Sequence, residues 1–100
     1  VRVEPGNGAR VADKTHRAYN GLAGSALTMD VAMDNLGRWI KLPSAKIWAM
    51  GTLNPARRLG LKTKGVLDAG ADADLVLWNA DKTAARTWVK GELVFEKPAE

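Results

Sequence analysis

Few residues in this 100-residue chain could carry chemistry. His16 is the only imidazole, and there is no cysteine. A general base or metal ligand at His16 would need partners, yet its neighbours are Lys14, Thr15 and Arg17, with Asp13 the nearest carboxylate. These surroundings favour a surface histidine in a turn-rich stretch. Asp68, Asp72 and Asp74 lie around Gly70 and have the composition of a calcium loop, but the Asp-x-Asp-x-Asp-Gly order with a distant Glu is missing. Turn chemistry accounts for all three. Asp68 and Asp72 can close a glycine-centred turn, and Asp74 can enter a strand and accept from local backbone N–H groups. Trp39, Trp48, Trp78 and Trp88 could suggest a carbohydrate platform, but two fall in helical and two in strand-like stretches, as core or interface side chains do. Trp48 and Trp78 are therefore expected to be largely buried. The most suggestive segment is Leu22-Ala23-Gly24-Ser25, because small residues ahead of a helix leave backbone N–H groups open to an oxygen-rich ligand. A tight loop ending in a helix cap fits the same residues.

The elements that must position these groups follow from pattern and punctuation. Val1 to Glu4 alternate as a short strand, Pro5-Gly6-Asn7-Gly8 forms a turn, and Ala9 to Ala12 can return as the second strand of a hairpin. Asn20-Gly21 marks a second turn before the chain becomes helical. Met29, Met33, Leu36 and Ile40 recur at spacings of four, three and four, which predicts a helix capped by Ser25 or Thr28. Gly37 within that helix suggests close approach of a neighbour. Leu42-Pro43 stops the helix, and Ser44 can cap a second one running to about Gly51. Asn54-Pro55 predicts a third start, with Asn as the cap and Pro in the first turn, ended by Gly60 in the left-handed conformation. Leu75 to Trp78 reads as a strand buried on both faces. Thr87-Trp88-Val89 and Leu93-Val94-Phe95 read as a hairpin joined by Lys90-Gly91-Glu92, with Gly91 at positive φ in a bulged loop. The tail Lys97 to Glu100 is polar and expected to fray.

Strands, then helices, then strands make the fold class α+β. The first strands are weak and the helices have only a three-stranded sheet to pack on, so further chain upstream is expected. Composition narrows the rest. An apolar fraction of 46% and a charged fraction of 26% are those of a globular chain. No apolar run is long enough for a membrane span or follows a basic start as in a secretory signal, and the missing cysteines fit a cytoplasmic, metal-poor chain. The net charge of +4 permits phosphate-bearing partners, but the basic residues are dispersed and do not alternate with aromatics, so no nucleic-acid partner is expected.

Four segments converge on a known family. Leu22 to Met29, Thr52 to Arg57 with Leu59-Gly60, Gly65 to Gly70 with Asp72 to Val76, and Val89 to Val94 together resemble the C-terminal part of the N-acetylglucosamine-6-phosphate deacetylases, of the amidohydrolase superfamily. The last three segments are shared across the superfamily, whereas the Ala-Gly-Ser-Ala-Leu-Thr-Met block is more specific. The resemblance implies the C-terminal helices of a (β/α)8 metal-dependent hydrolase barrel plus strands of its small β-sandwich. Residues 1–60 would end the barrel domain, and residues 61–100 would supply sandwich strands. It implies removal of the acetyl group from N-acetylglucosamine 6-phosphate, giving glucosamine 6-phosphate and acetate. A divalent metal of zinc or iron type would serve the parent enzyme, none being bound by this chain, and the full-length parent would be a homodimer. Leu22, Ala23 and Gly24 match positions lining the family's sugar-phosphate pocket. No catalytic or metal-binding residue carries over, so the chain alone is expected to be inactive. The alternatives are a small non-catalytic binding or scaffold module, a basic nucleic-acid-binding domain, and the C-terminal part of another amidohydrolase such as a dihydroorotase-like enzyme.

Overall fold

The structure, a computed structural model, describes residues 1–98, so the last two residues of the expected frayed tail lie outside the described residues. Strand β1 (Arg2–Glu4) turns through Gly6 into β2 (Gly8–Arg10), which pairs in turn with β3 (Leu22–Gly24) in an antiparallel sheet of order β1-β2-β3. Three helices follow: α1 (Met29–Trp39), α2 (Ser44–Met50) and α3 (Leu53–Arg58). A second antiparallel sheet, β4 (Leu75–Trp78), β5 (Ala84–Val89) and β6 (Glu92–Glu96), has β5 at its centre. This is the expected α+β order. Among the described residues no helix is long and apolar enough to cross a membrane.

The helix α1 begins at Met29 with Thr28 as its N-cap residue, although the Thr28 side chain makes no capping bond. Ser25 does not cap it; its hydroxyl accepts the N–H of Leu27 at 2.9 Å in a local turn. Gly37 faces open space, so the close approach expected there is absent. Gly51 has that role instead, since a Cβ at this position would lie 2.8 Å from Met33 Sδ, where α1 packs on α2. The start of α2 is one residue earlier than expected, with Pro43 as N-cap and Ser44 inside the helix. In α3, Thr52 rather than Asn54 precedes the first helical residue. The end of α3 follows the sequence. Gly60 has φ 71°, its N–H donates to Arg57 O at 3.1 Å, and Leu61 N–H donates to Ala56 O at 2.9 Å, the two bonds of a Schellman motif.

The β5–β6 loop contains two residues, Lys90 (φ 50°) and Gly91 (φ 81°), because Val89 pairs directly with Glu92. Positive φ at both positions is the type I′ geometry that matches strand twist. The irregularity expected in the loop occurs within the ladder, between Thr87 and Trp88.

Burial departs most from expectation. Only Ala9, Met33, Ile47 and Ala56 are buried among the described residues. Strand β4 is half-exposed, not covered on both faces, and every residue of β6 is exposed. Trp48 is 37% exposed and Trp78 half-buried, their rings 5.2 Å apart and tilted by 44°, so neither is the enclosed core side chain expected. The accessible surface is 7927 Å². A compact monomer of this mass exposes about 5,500 Å². The radius of gyration, 16.9 Å, likewise exceeds the roughly 13 Å of a compact 100-residue domain. The physical reason is one of area: two three-stranded sheets and three short helices cannot cover one another's apolar faces.

Candidate functional site

Leu22, Ala23 and Gly24 form a strand, not the loop expected from their small side chains. They occupy the edge of the first sheet, with Gly24 opposite Ala9, Leu22 opposite Arg10, and a register shift between the two pairs. Gly8 makes this pairing possible. It has φ 74°, and a Cβ there would come within 2.9 Å of Gly24 O and 3.0 Å of Leu22 Cδ1. The outer side of β3 is open: Leu22 is 68% exposed, and a Cβ on Gly24 would meet nothing within 4 Å. Gly24 is not at positive φ, so a larger residue there strains nothing.

A shallow groove of about 720 Å³ runs between the β1–β2 turn and the segment from Leu22 to Leu27. Arg10 contributes its one charged side chain, held by Nε donating to Asn7 O and Nη2 donating to Asn7 Oδ1, both at 3.1 Å. The wall is otherwise glycine, alanine, leucine, serine and asparagine. Such a surface can offer main-chain groups, one cation and a few hydroxyl or amide contacts to a polar ligand. It has no nucleophile paired with a base.

Of the three carboxylates near Gly70 only Asp68 shows the expected turn chemistry; Asp72 is drawn to a lysine instead of closing the turn, and Asp74 lies just ahead of β4. Asp68 Oδ1 accepts the N–H of Ala69 at 2.8 Å. Asp72 and Asp74 converge on Lys64, whose Nζ is 2.7 Å from Asp72 Oδ2 and 2.5 Å from Asp74 Oδ2. The other Asp74 oxygen accepts the N–H of Lys90 at 2.8 Å, so its backbone partner is in the remote β5–β6 loop and not local. The Lys64 hydrogen bonds are the main cause holding both carboxyls below the usual carboxylate range, and the two aspartates hold the Lys64 ammonium above its usual range. Lys64 was not legible as the centre of this cluster, because the ten residues to Asp74 are brought together only by the fold.

His16 Nδ1 accepts the N–H of Ala18 at 3.1 Å in an exposed turn, far in role from a ligand or base. Among the described residues no three His, Cys, Asp or Glu side chains are grouped so as to hold a metal ion, and the two aspartates that do converge are taken by Lys64. The donor set does not fit the divalent metal that the resemblance implies.

A family model described as the amidohydrolase family matches residues 13–94. The N-acetylglucosamine-6-phosphate deacetylase of Vibrio furnissii is 40% identical over 77 residues, covering 76% of this chain and 19% of that protein. The human protein of the same name is 37% identical over 79 residues, covering 78% of this chain and 19% of its own length. In structure, the N-acetylglucosamine-6-phosphate deacetylase of Thermotoga maritima matches with a TM-score of 0.71 at 31% identity, over 78% of this chain and 22% of that one. The chain spans about one fifth of the length of each of these relatives.

Proposed function

The chain belongs to the amidohydrolase family, and from that premise we propose that it is the C-terminal part of an N-acetylglucosamine-6-phosphate deacetylase. The observation that carries this reading is the likeness to deacetylases in sequence and backbone together, 40% identity to one and a TM-score of 0.71 to another. The exposed apolar faces and expanded shape agree with it, since a segment one fifth of a larger fold leaves uncovered the surfaces the remainder would pack on.

In this reading residues 1–60 close the barrel domain and residues 61–100 add strands to the small sandwich. Leu22, Ala23 and Gly24 form one wall of the sugar-phosphate pocket and present main-chain groups to the substrate. The open space outside Gly24 suits close approach of a ligand to backbone. The hydrolysis itself, N-acetylglucosamine 6-phosphate and water giving glucosamine 6-phosphate and acetate, needs a divalent metal and a proton-transfer carboxylate supplied from outside these residues. The parent enzyme acts as a homodimer.

The purified 100-residue chain, supplied with zinc, iron or manganese in turn, is expected to release no acetate from N-acetylglucosamine 6-phosphate above a metal blank. Turnover would overturn the division of labour proposed here.

A further inference from the structure

We propose that Arg2 is a positioning residue for β3, fixing the direction in which the strand brings Leu22 and Gly24 to the groove. In the first sheet β1 and β3 do not pair, because β2 separates them. Arg2 reaches past β2 to the turn that leads into β3. Its Nε donates to Glu4 Oε1 at 2.8 Å, its Nη1 to Val11 O at 3.4 Å, and its Nη2 to Asn20 Oδ1. The guanidinium also lies 5.7 Å from the centre of the Tyr19 ring. One planar group therefore grips Glu4 at the end of β1, Val11 just past β2 and the turn that launches β3.

That turn needs holding. Asn20 has φ 65°, a left-handed conformation that asparagine adopts more readily than other residues with a Cβ but that still favours glycine. Two backbone bonds, Asn20 N–H to Val11 O and Val11 N–H to Gly21 O, both 3.0 Å, close the loop that leads to β3. Val11 O thus accepts from both Asn20 and Arg2. A lysine could keep the charge beside Glu4 and Tyr19, but a single ammonium lacks the fork that spans three partners. The importance of this geometry to a ligand rests on β3 being a sugar-phosphate wall, whereas the positioning itself does not.

The test is amide exchange and chemical shift mapping on the whole chain, in wild type, Arg2→Lys and Arg2→Gln. Both variants are expected to speed exchange of Gly21 and Gly24 about tenfold, with α1 and α2 amides unchanged. Shifts of the Leu22–Gly24 amides on addition of glucosamine 6-phosphate are expected in wild type and reduced in both variants. Unchanged exchange at Gly21 and Gly24, or full rescue by lysine, would overturn the positioning role. Accelerated exchange in the variants with no wild-type response to the sugar phosphate would uphold the positioning role and defeat the pocket reading instead.

Discussion

Gly65 is the position where the backbone leaves least freedom. Its φ is 81°, and a Cβ there would lie 2.7 Å from Thr52 O and 2.9 Å from Leu53 Cα. Those atoms are main chain at the start of α3 and cannot swing aside as a side-chain end would. Gly65→Ala therefore combines about 1–2 kcal/mol for a side chain in the left-handed region with about 1–3 kcal/mol for forced repacking, roughly 2 to 5 kcal/mol together. Two other glycines separate the contributions. Gly60 has φ 71° but open space around its Cβ position, so Gly60→Ala carries only the conformational part, about 1–2 kcal/mol. Gly37 lies inside α1 with no positive φ and no neighbour within 4 Å, and Gly37→Ala is expected to stabilise by about 0.5–1 kcal/mol. Urea unfolding followed by helical circular dichroism reads the series, provided the slope is unchanged so that the midpoint shift reports stability. The expected order is Gly37→Ala above wild type, then Gly60→Ala, then Gly65→Ala. Equal losses at Gly60 and Gly65 would refute the claim that the loop at Gly65 is pinned against α3.

The Lys64 clamp predicts a two-sided pH dependence. Asp72 and Asp74 titrate lower in the folded than in the unfolded chain, so their contribution is complete above the ordinary carboxylate range and is lost as pH falls below about 4. Lys64 titrates higher when folded, so its contribution holds at neutral pH and is lost only above about pH 10.5. Lys64→Gln should make both limbs of a stability-against-pH curve shallower, and limbs that match wild type would show the clamp to be without effect. Trp48→Ala should cost about 1–2 kcal/mol, less than the 3–5 kcal/mol of an enclosed aromatic, because the ring keeps 37% exposure and loses mainly its contact with Trp78. Far-ultraviolet circular dichroism should lose the tryptophan exciton couplet in Trp48→Ala and Trp78→Ala alike, and an unchanged spectrum in either would contradict the pairing.

What the sequence disclosed and what it concealed divide along the reach of the interactions. The existence of α1, the stop at Pro43, the Schellman end at Gly60 and the positive φ at Gly91 rest on contacts within a few residues, and each was legible from spacing or from one residue's backbone preference, whereas of the expected face of α1 only Met33 is buried, with Met29 61% exposed and Ile40 past the helix end. Strand β3 was not legible. Leu-Ala-Gly has no strand-forming residue, and it is extended because Gly8 lets β2 approach it from fourteen residues away. The same holds for Lys64 with Asp74 and for Arg2 with Asn20, where ordinary surface residues acquire roles only when the fold joins them. Burial of Leu75 to Trp78 was read from apolarity alone, yet apolar residues become a core only where something covers them. For the candidate site, the segment Leu22-Ala23-Gly24 was visible as a stretch of small residues, whereas Gly8 and Arg10 across the groove were not.

The central claim is that these residues supply one wall of a deacetylase's sugar-phosphate pocket. It is tested most directly by exchanging the matching 77 residues of the Vibrio furnissii enzyme for those of this chain and measuring kcat/KM for N-acetylglucosamine 6-phosphate, with Gly24→Val beside it. The exchanged enzyme is expected to turn over, and Gly24→Val to lower kcat/KM at least about tenfold while Tm moves by less than about 2 °C, since a side chain there meets nothing in this fold. A folded, metal-loaded chimera without turnover, or a Gly24→Val chimera with unchanged kcat/KM, would contradict it.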